Sequence, residues 1–233
     1  MKISRNFTCI INWILDNLCP PILRDCWPLM YPIYWAAMGR YTKEFLEYKD
    51  KYPFLTDVEY GRYYEHAAKT RLAARPTDLN RTSLKFILSH ASGTCLDAGC
   101  GRGYLAEQLT NEGHEVTGVD IVAPENSPAE GGYTFVKANL QSLPFQDASF
   151  DTAICSHVLE HIPDMAGVIE ELMRVTREKL IIVLPRQREY RYVTDLHIHF
   201  FPYEYNIWMA LPPSARNAAV YKVGGDWGIL IRK

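Results

Sequence analysis

The residues with the most evident chemistry lie in two stretches of the chain. In AICSHVLEHIPD, His157, Glu160 and His161 stand at spacings of three and four from His157, which on a helix puts all three on one face. In DLHIHFF, His197 and His199 alternate, so in an extended segment both side chains point the same way. Imidazole and carboxylate donors of this kind suit a divalent metal. A neutral imidazole at His161, assisted by His157, would also serve as a general base. Hydrogen-bonded histidines in loops are the third reading of the same residues. The other stretch is TCLDAGCGRGYLAEQL. Asp97 ends an apolar run, and Gly99, Cys100, Gly101 and Gly103 follow. Glycines let a backbone turn sharply and approach a ligand closely, and the helix start behind them offers unpaired N–H groups.

These residues need a scaffold. Thr94–Ala98 reads as a strand and 103–111 as a helix. HEVTGVD reads as a second buried strand ending in Asp120 and followed by Ile121, about 20 residues beyond the glycine turn, the spacing that suits a carboxylate on ribose hydroxyls. APENSPAEGG (123–132) is a loop, and Tyr133–Lys137 a third strand. Phe150–Cys155 and Leu180–Leu184 are further strands, with a helix between them over Asp164–Thr176. A helix is expected to begin near Thr77-Asp78. Ala218–Val223 and Trp227–Arg232 flank Gly224-Gly225-Asp226, a hairpin signal. The expectation is an α/β, Rossmann-like doubly wound sheet of seven strands, mostly parallel with a C-terminal antiparallel hairpin. Residues 76–233 would form this domain. Residues 1–75, crowded with Trp, Tyr and Pro, would form an N-terminal helical cap.

Two cofactor classes use such a glycine turn. The dinucleotide fingerprint fails here, because Tyr104 stands where a small residue is needed. The spacing D-x-G-x-G-x-G instead resembles the first motif of the class I S-adenosylmethionine-dependent methyltransferases. ANLQSLPF, S-F-D and V-L-E-H resemble later segments of that family, so the likeness runs from about residue 90 to 233. It implies that Asp97 and the Gly99–Gly103 loop hold the amino-acid end of S-adenosylmethionine, and that Asp120 holds the ribose. Asn139 and Leu140 would meet the adenine, and Ser156 would lie beside the methionine part. The family also offers a precedent for a metal held by Glu160, His161, His197 and His199, with His157 standing where that pattern has an acid. The implied function is methyl transfer, most simply O-methylation of a hydroxylated small molecule or glycan. Arg186, Arg188, Tyr190, Arg191 and Tyr192, directly after the fifth strand, are expected on the acceptor side.

Composition bounds the partners. A net charge of -2 argues against an extensive nucleic-acid surface. The six cysteines show no C-x-x-C spacing and read as reduced thiols of a cytoplasmic protein without a secretory signal. No apolar run reaches the ~18 residues of a membrane span. Residues 13–41 are aromatic and nearly uncharged around Trp27–Met38, which favours peripheral contact with a membrane as an alternative to a packed cap. The rival functions are therefore a quinone- or lipid-class methyltransferase at a membrane surface, and a non-catalytic S-adenosylmethionine-binding partner protein. Oligomeric state is not legible.

Overall fold

The computed structural model describes residues 13–14, 18–70, 77–124, 128–189, 191–192 and 195–233. The chain packs as two compact units: Met1–Arg75 with Gln187–Phe200, and Pro76–Arg186 with Phe201–Lys233. The boundary expected at 75–76 and Tyr190 lie outside the described residues.

The first unit is helical. Its elements are α1 (Pro21–Arg24), α2 (Trp27–Met38), α3 (Thr42–Leu46), α4 (Tyr48–Lys51) and α5 (Asp57–Ala68). Pro21 and Pro28 stand in the first turns of α1 and α2, where a missing N–H costs nothing. Thr56 caps α5 in a reciprocal box with Glu59. α2 buries Met30, Tyr34 and Met38, spaced by four along one side, while Trp27, Leu29, Ile33 and Trp35 are exposed. Residues 187–200, expected in the sheet domain, pack here. Leu196 joins Met38, Phe45, Tyr48 and Tyr63 in one apolar cluster, and Tyr192 packs on Met30, Tyr34 and Leu46. The Tyr34 hydroxyl donates to the Tyr192 carbonyl at 2.5 Å and Tyr48 to the Leu196 carbonyl at 3.4 Å. Burial is the physical reason: Tyr192 and Leu196 find apolar partners on these helices.

The second unit contains α6 (Arg81–His90), β1 (Thr94–Ala98), α7 (Tyr104–Asn111), β2 (Glu115–Asp120), β3 (Thr134–Lys137), β4 (Phe150–Ser156), α8 (Met165–Val175), β5 (Thr176–Pro185), α9 (Glu204–Ala210), β6 (Ala219–Val223) and β7 (Asp226–Arg232). Seven strands form one sheet in the order β3-β2-β1-β4-β5-β7-β6. β1 to β5 run parallel; β7 pairs antiparallel with both β5 and β6. Alternate residues of the inner strands face opposite layers. Leu96, Ala153, Cys155 and Ile182 pack with Val168, Ile169 and Leu172 of α8. Cys95, Ile154, Ile181 and Val183 pack with Phe86 and Ile87 of α6 and with Leu105 and Leu109 of α7.

Two element starts differ from the sequence reading by more than one residue. β5 begins at Thr176, not Leu180, because the polar run Thr176–Lys179 still pairs with Phe150, Thr152 and Arg232 across the ladder. α6 begins at Arg81, because Asn80 caps it: its Oδ1 accepts from the N–H groups of Thr82 and Ser83 at 2.8 and 3.0 Å. The same amide donates to the Val223 carbonyl at 3.0 Å and to Asp226 at 2.7 Å, tying the helix start to the hairpin. Asn80→Ala removes a cap and leaves a buried carboxylate short of a donor. It should lower the unfolding free energy by about 2 kcal/mol, read as a lower urea midpoint at unchanged m-value.

Candidate functional site

The strand order reverses between β1 and β4, and ligands of doubly wound sheets bind where the carboxyl ends of such strands diverge. β1 leaves the sheet here through the glycine turn. Gly99, Gly101 and Gly103 have φ of 78°, 52° and 81°, a region that L side chains rarely adopt. A side chain at Gly99 would also collide with Val158, and one at Gly103 with the Tyr133 hydroxyl; at Gly101 the space is open. The turn is fastened to β2. Gly99 and Cys100 both donate their N–H to the Val119 carbonyl, at 2.7 and 3.0 Å, and Gly101 donates to Asp120 Oδ2 at 2.8 Å. Cys100 is buried, its sulfur against Gly118.

Asp97 sits at the foot of this turn. It is 2% exposed, and its Oδ2 has no hydrogen-bond partner among the described residues. Burial, aided by the charge of Asp120, pushes its carboxyl up to about 7. A buried acceptor with one oxygen unsatisfied costs stability unless a donor arrives. Asp120 ends β2 with both oxygens engaged: Oδ2 by the Gly101 N–H of the glycine turn and Oδ1 by the Val122 N–H of its own loop at 3.1 Å. Each carboxylate oxygen keeps a second lone pair for a ligand hydroxyl. Ile121 and Val122 beside it are exposed. Asn139 is exposed and accepts from the Gln141 N–H at 3.0 Å, while Leu140 is buried in the apolar core. Ser156 ends β4 half-buried.

The segment after β4 is not the expected α-helix. Leu159–His161 is a single 3-10 turn, and His157 before it has φ +55°, so His157, Glu160 and His161 do not share a helical face. The Val158 backbone, rotated out of helical register, is the local reason. His157 lies between two fully buried carboxylates, Nδ1 3.4 Å from Glu160 and Nε2 3.4 Å from Asp226. Burial opposes its charge, but Asp226 and Glu160 outweigh that and push the imidazole up to about 10. That direction favours the protonated ring. His161 is half-buried in the same turn, its N–H on the Val158 carbonyl.

The four metal candidates divide between the units, Glu160 and His161 in one, His197 and His199 in the other. His197 Nδ1 lies 2.9 Å from Gln187 Oε1 and 3.3 Å from Asp195; His199 is half-buried. The Arg/Tyr segment after β5 divides too. Arg186 lies over the Trp227 ring at 5.9 Å, whereas Tyr192 is packed among N-terminal side chains.

Sequence reasoning missed Tyr133, which closes over Gly103, Val158, which closes over Gly99, and Asp226. Asp226 was legible only as a turn residue. Its signal is that it opens the otherwise apolar strand DWGILIR, where it is 0% exposed and accepts from Asn80 and from Ser83 Oγ at 2.7 Å each.

A sheet of this order with an acid, a glycine turn and a second acid at adjoining strand ends has counterparts among known proteins. A model of the methyltransferase domain family matches residues 96–184. An uncharacterized methyltransferase from Mycobacterium sp. (strain KMS) is 39% identical over 94 residues, 39% of this chain and 37% of that protein. A ubiquinone biosynthesis O-methyltransferase from Paraburkholderia phymatum is 39% identical over 105 residues, 40% of this chain and 45% of that one. The match thus spans less than half the length of either relative. Among solved structures, the Burkholderia thailandensis 1,6-didemethyltoxoflavin-N1-methyltransferase, with bound 1,6-didemethyltoxoflavin and S-adenosylhomocysteine, shares the fold. It has a TM-score of 0.54 and 20% identity over 85% of this chain and 91% of that one. A SAM-dependent methyltransferase from Aquifex aeolicus shares it with a TM-score of 0.52 and 15% identity, over 69% and 94%. Residues 96–184 are thus similar to the methyltransferase domain family, and the sheet shares the fold of these methyltransferases.

The raised Asp97 carboxyl has a signed consequence. A carboxyl whose folded-state value lies above its unfolded value of 3.8 contributes stability that is full below that value and lost as pH rises through about 7. Asp97→Asn, which cannot ionise, should melt close to the wild type at pH 5 and several degrees above it at pH 8. A pH-independent gap in melting temperature would contradict the assignment.

Proposed function

We propose that the chain is an S-adenosylmethionine-dependent O-methyltransferase acting on a hydroxylated small molecule or glycan. The observation that carries the cofactor is the orphaned, buried oxygen of Asp97 beside a glycine turn that leaves open space at Gly101. An ammonium group satisfies that oxygen, the Asp120 carboxylate accepts ribose hydroxyls, and Asn139 offers an amide to an adenine edge. The bound cofactor supplies an activated methyl on a sulfonium leaving group. The chain's task is then alignment of the acceptor oxygen and removal of its proton. His161 is the residue assigned to that proton, as a free base or as a ligand to a divalent ion shared with Glu160.

Titration calorimetry with S-adenosylhomocysteine tests the reading. Asp120→Ala should weaken binding about tenfold or more while the protein stays folded. Because Asp97 must be ionised to pair with an ammonium, wild-type affinity should fall as pH drops from 8 to 6. Unchanged affinity in both tests would sink the assignment. A thermal-shift arm with EDTA-treated protein and added Mg, Mn or Zn reads the metal: a further rise in melting temperature that His161→Ala abolishes supports it. Ligand binding without consumption of S-adenosylmethionine across sugar and phenol acceptors would favour a non-catalytic binding protein.

A second reading, an acceptor of quinone or lipid class met at a membrane surface, is favoured by one observation. Ile22, Trp27, Leu29, Ile33 and Trp35 are all exposed on a segment that carries no charge within α2. Among the described residues no helix is long and apolar enough to cross a membrane. Trp and Tyr on such a segment suit the headgroup zone of a bilayer. Sedimentation with phosphatidylcholine vesicles, lost on Trp27→Ser/Trp35→Ser, is the expected outcome under this reading; no sedimentation of the wild type removes it.

A further inference from the structure

The His157 side chain is almost fully buried, yet the reaction assigns it no proton to move. What it does have is a fixed place. Asp226 on one side of the ring is a rigid post: its carboxylate accepts from Asn80 Nδ2 and Ser83 Oγ at 2.7 Å each, and it opens β7 with no exposure. Glu160 on the other side is equally buried. An imidazole has a nitrogen at each end of the ring, so this one side chain faces both carboxylates at 3.4 Å. The His157 N–H is also held, by the Val183 carbonyl of β5 at 3.0 Å. Ring and backbone are thereby fixed with φ at +55°, a left-handed conformation that a residue with a side chain keeps only when its surroundings impose it.

That conformation sets where the next residue goes. The Val158 side chain lies over Gly99 and occupies the space a side chain at Gly99 would take. Gly99 is the first residue of the cofactor turn, and its own N–H is fixed on the Val119 carbonyl at 2.7 Å. The turn is thus pinned from β2 on one side and closed by Val158 on the other.

We propose that His157 is a positioning residue for the cofactor turn, acting through Val158: clamped between Glu160 and Asp226, it seats Val158 on Gly99 and so couples the C-terminal hairpin and the start of α6 to cofactor affinity. This rests on the methyltransferase reading for the ligand that reports it.

Calorimetry with S-adenosylhomocysteine on wild type, His157→Gln, Val158→Ala and the double variant tests the coupling. Each single variant should weaken binding about fivefold or more, and the double variant should bind within about twofold of the weaker single, since both act through one contact. A merely structural role predicts a lowered melting temperature with unchanged affinity of the folded protein. The proposal is overturned if folded His157→Gln or Val158→Ala binds within about twofold of wild type, or if the two losses multiply as independent sites do. Where His157→Gln does not fold, Ser83→Ala, which loosens the Asp226 post, replaces it in the cycle under the same criteria. Failure of the wild type to bind S-adenosylhomocysteine would count against the methyltransferase reading instead.

Discussion

Everything at the carboxyl edge of the sheet depends on how the chain leaves β1. It must turn from a buried strand into a buried helix within a few residues, through backbone angles that only glycine adopts without cost. The turn is neither loose nor self-supporting. It is hydrogen-bonded to Val119 and Asp120 of β2, and two of its glycines lie directly under side chains from elsewhere, Val158 and Tyr133. The result is a narrow cradle in which Gly101 is the one glycine of the turn with open space beside it. Asp97 lies beneath with a carboxyl that burial raises to about 7. Such a group destabilises the empty protein in return for a strong interaction with a cation, a trade common at functional sites.

The second feature of the edge is a concentration of charge in a place without water. Asp226 and Glu160 are fully buried and the His157 side chain nearly so, and desolvation offsets much of their mutual attraction. Replacing them with apolar side chains could give as stable a core, but it would not fix one direction for the chain after β4. A ring nitrogen set against a carboxylate on each side defines orientation where packed hydrocarbon leaves several options close in energy. Nothing of this kind holds Arg186, which rests on the Trp227 ring at the end of β5.

The helical unit is built on a different principle. Its interior is an aromatic cluster of Phe45, Tyr48, Tyr52, Tyr60 and Tyr63, with ring centroids 5.0–6.2 Å apart in tilted and edge-on pairs. Short helices broken by Gly39 and proline turns can bury such rings without a long regular scaffold. Residues 187–200 complete that interior, so a segment distant in sequence becomes part of the N-terminal unit.

The sequence by itself determined the sheet and the cofactor edge. The alternation of apolar residues, the glycine turn after Asp97 and the acid at Asp120 are local patterns, each readable within about ten residues, and the hairpin at Gly224-Gly225 is as local as they are. Even Tyr104, by breaking one fingerprint, was informative. What only the tertiary structure decided are properties that depend on neighbours remote in the chain. His157 is paired with Asp226, whose place on β7 brings it beside the end of β4 only because β7 pairs with β5 and β5 with β4. Its protonation follows from that pairing, not from its spacing to His161. The helical face drawn through His157, Glu160 and His161 failed because a long-range ion pair, and a hydrogen bond to Val183, set the local backbone against the helical period. The same holds for 187–200, whose partners are the N-terminal tyrosines. Periodicity records which way a side chain points along its own element; the charge state of a buried group, and the shape of the chain around it, are set by what the fold packs against it.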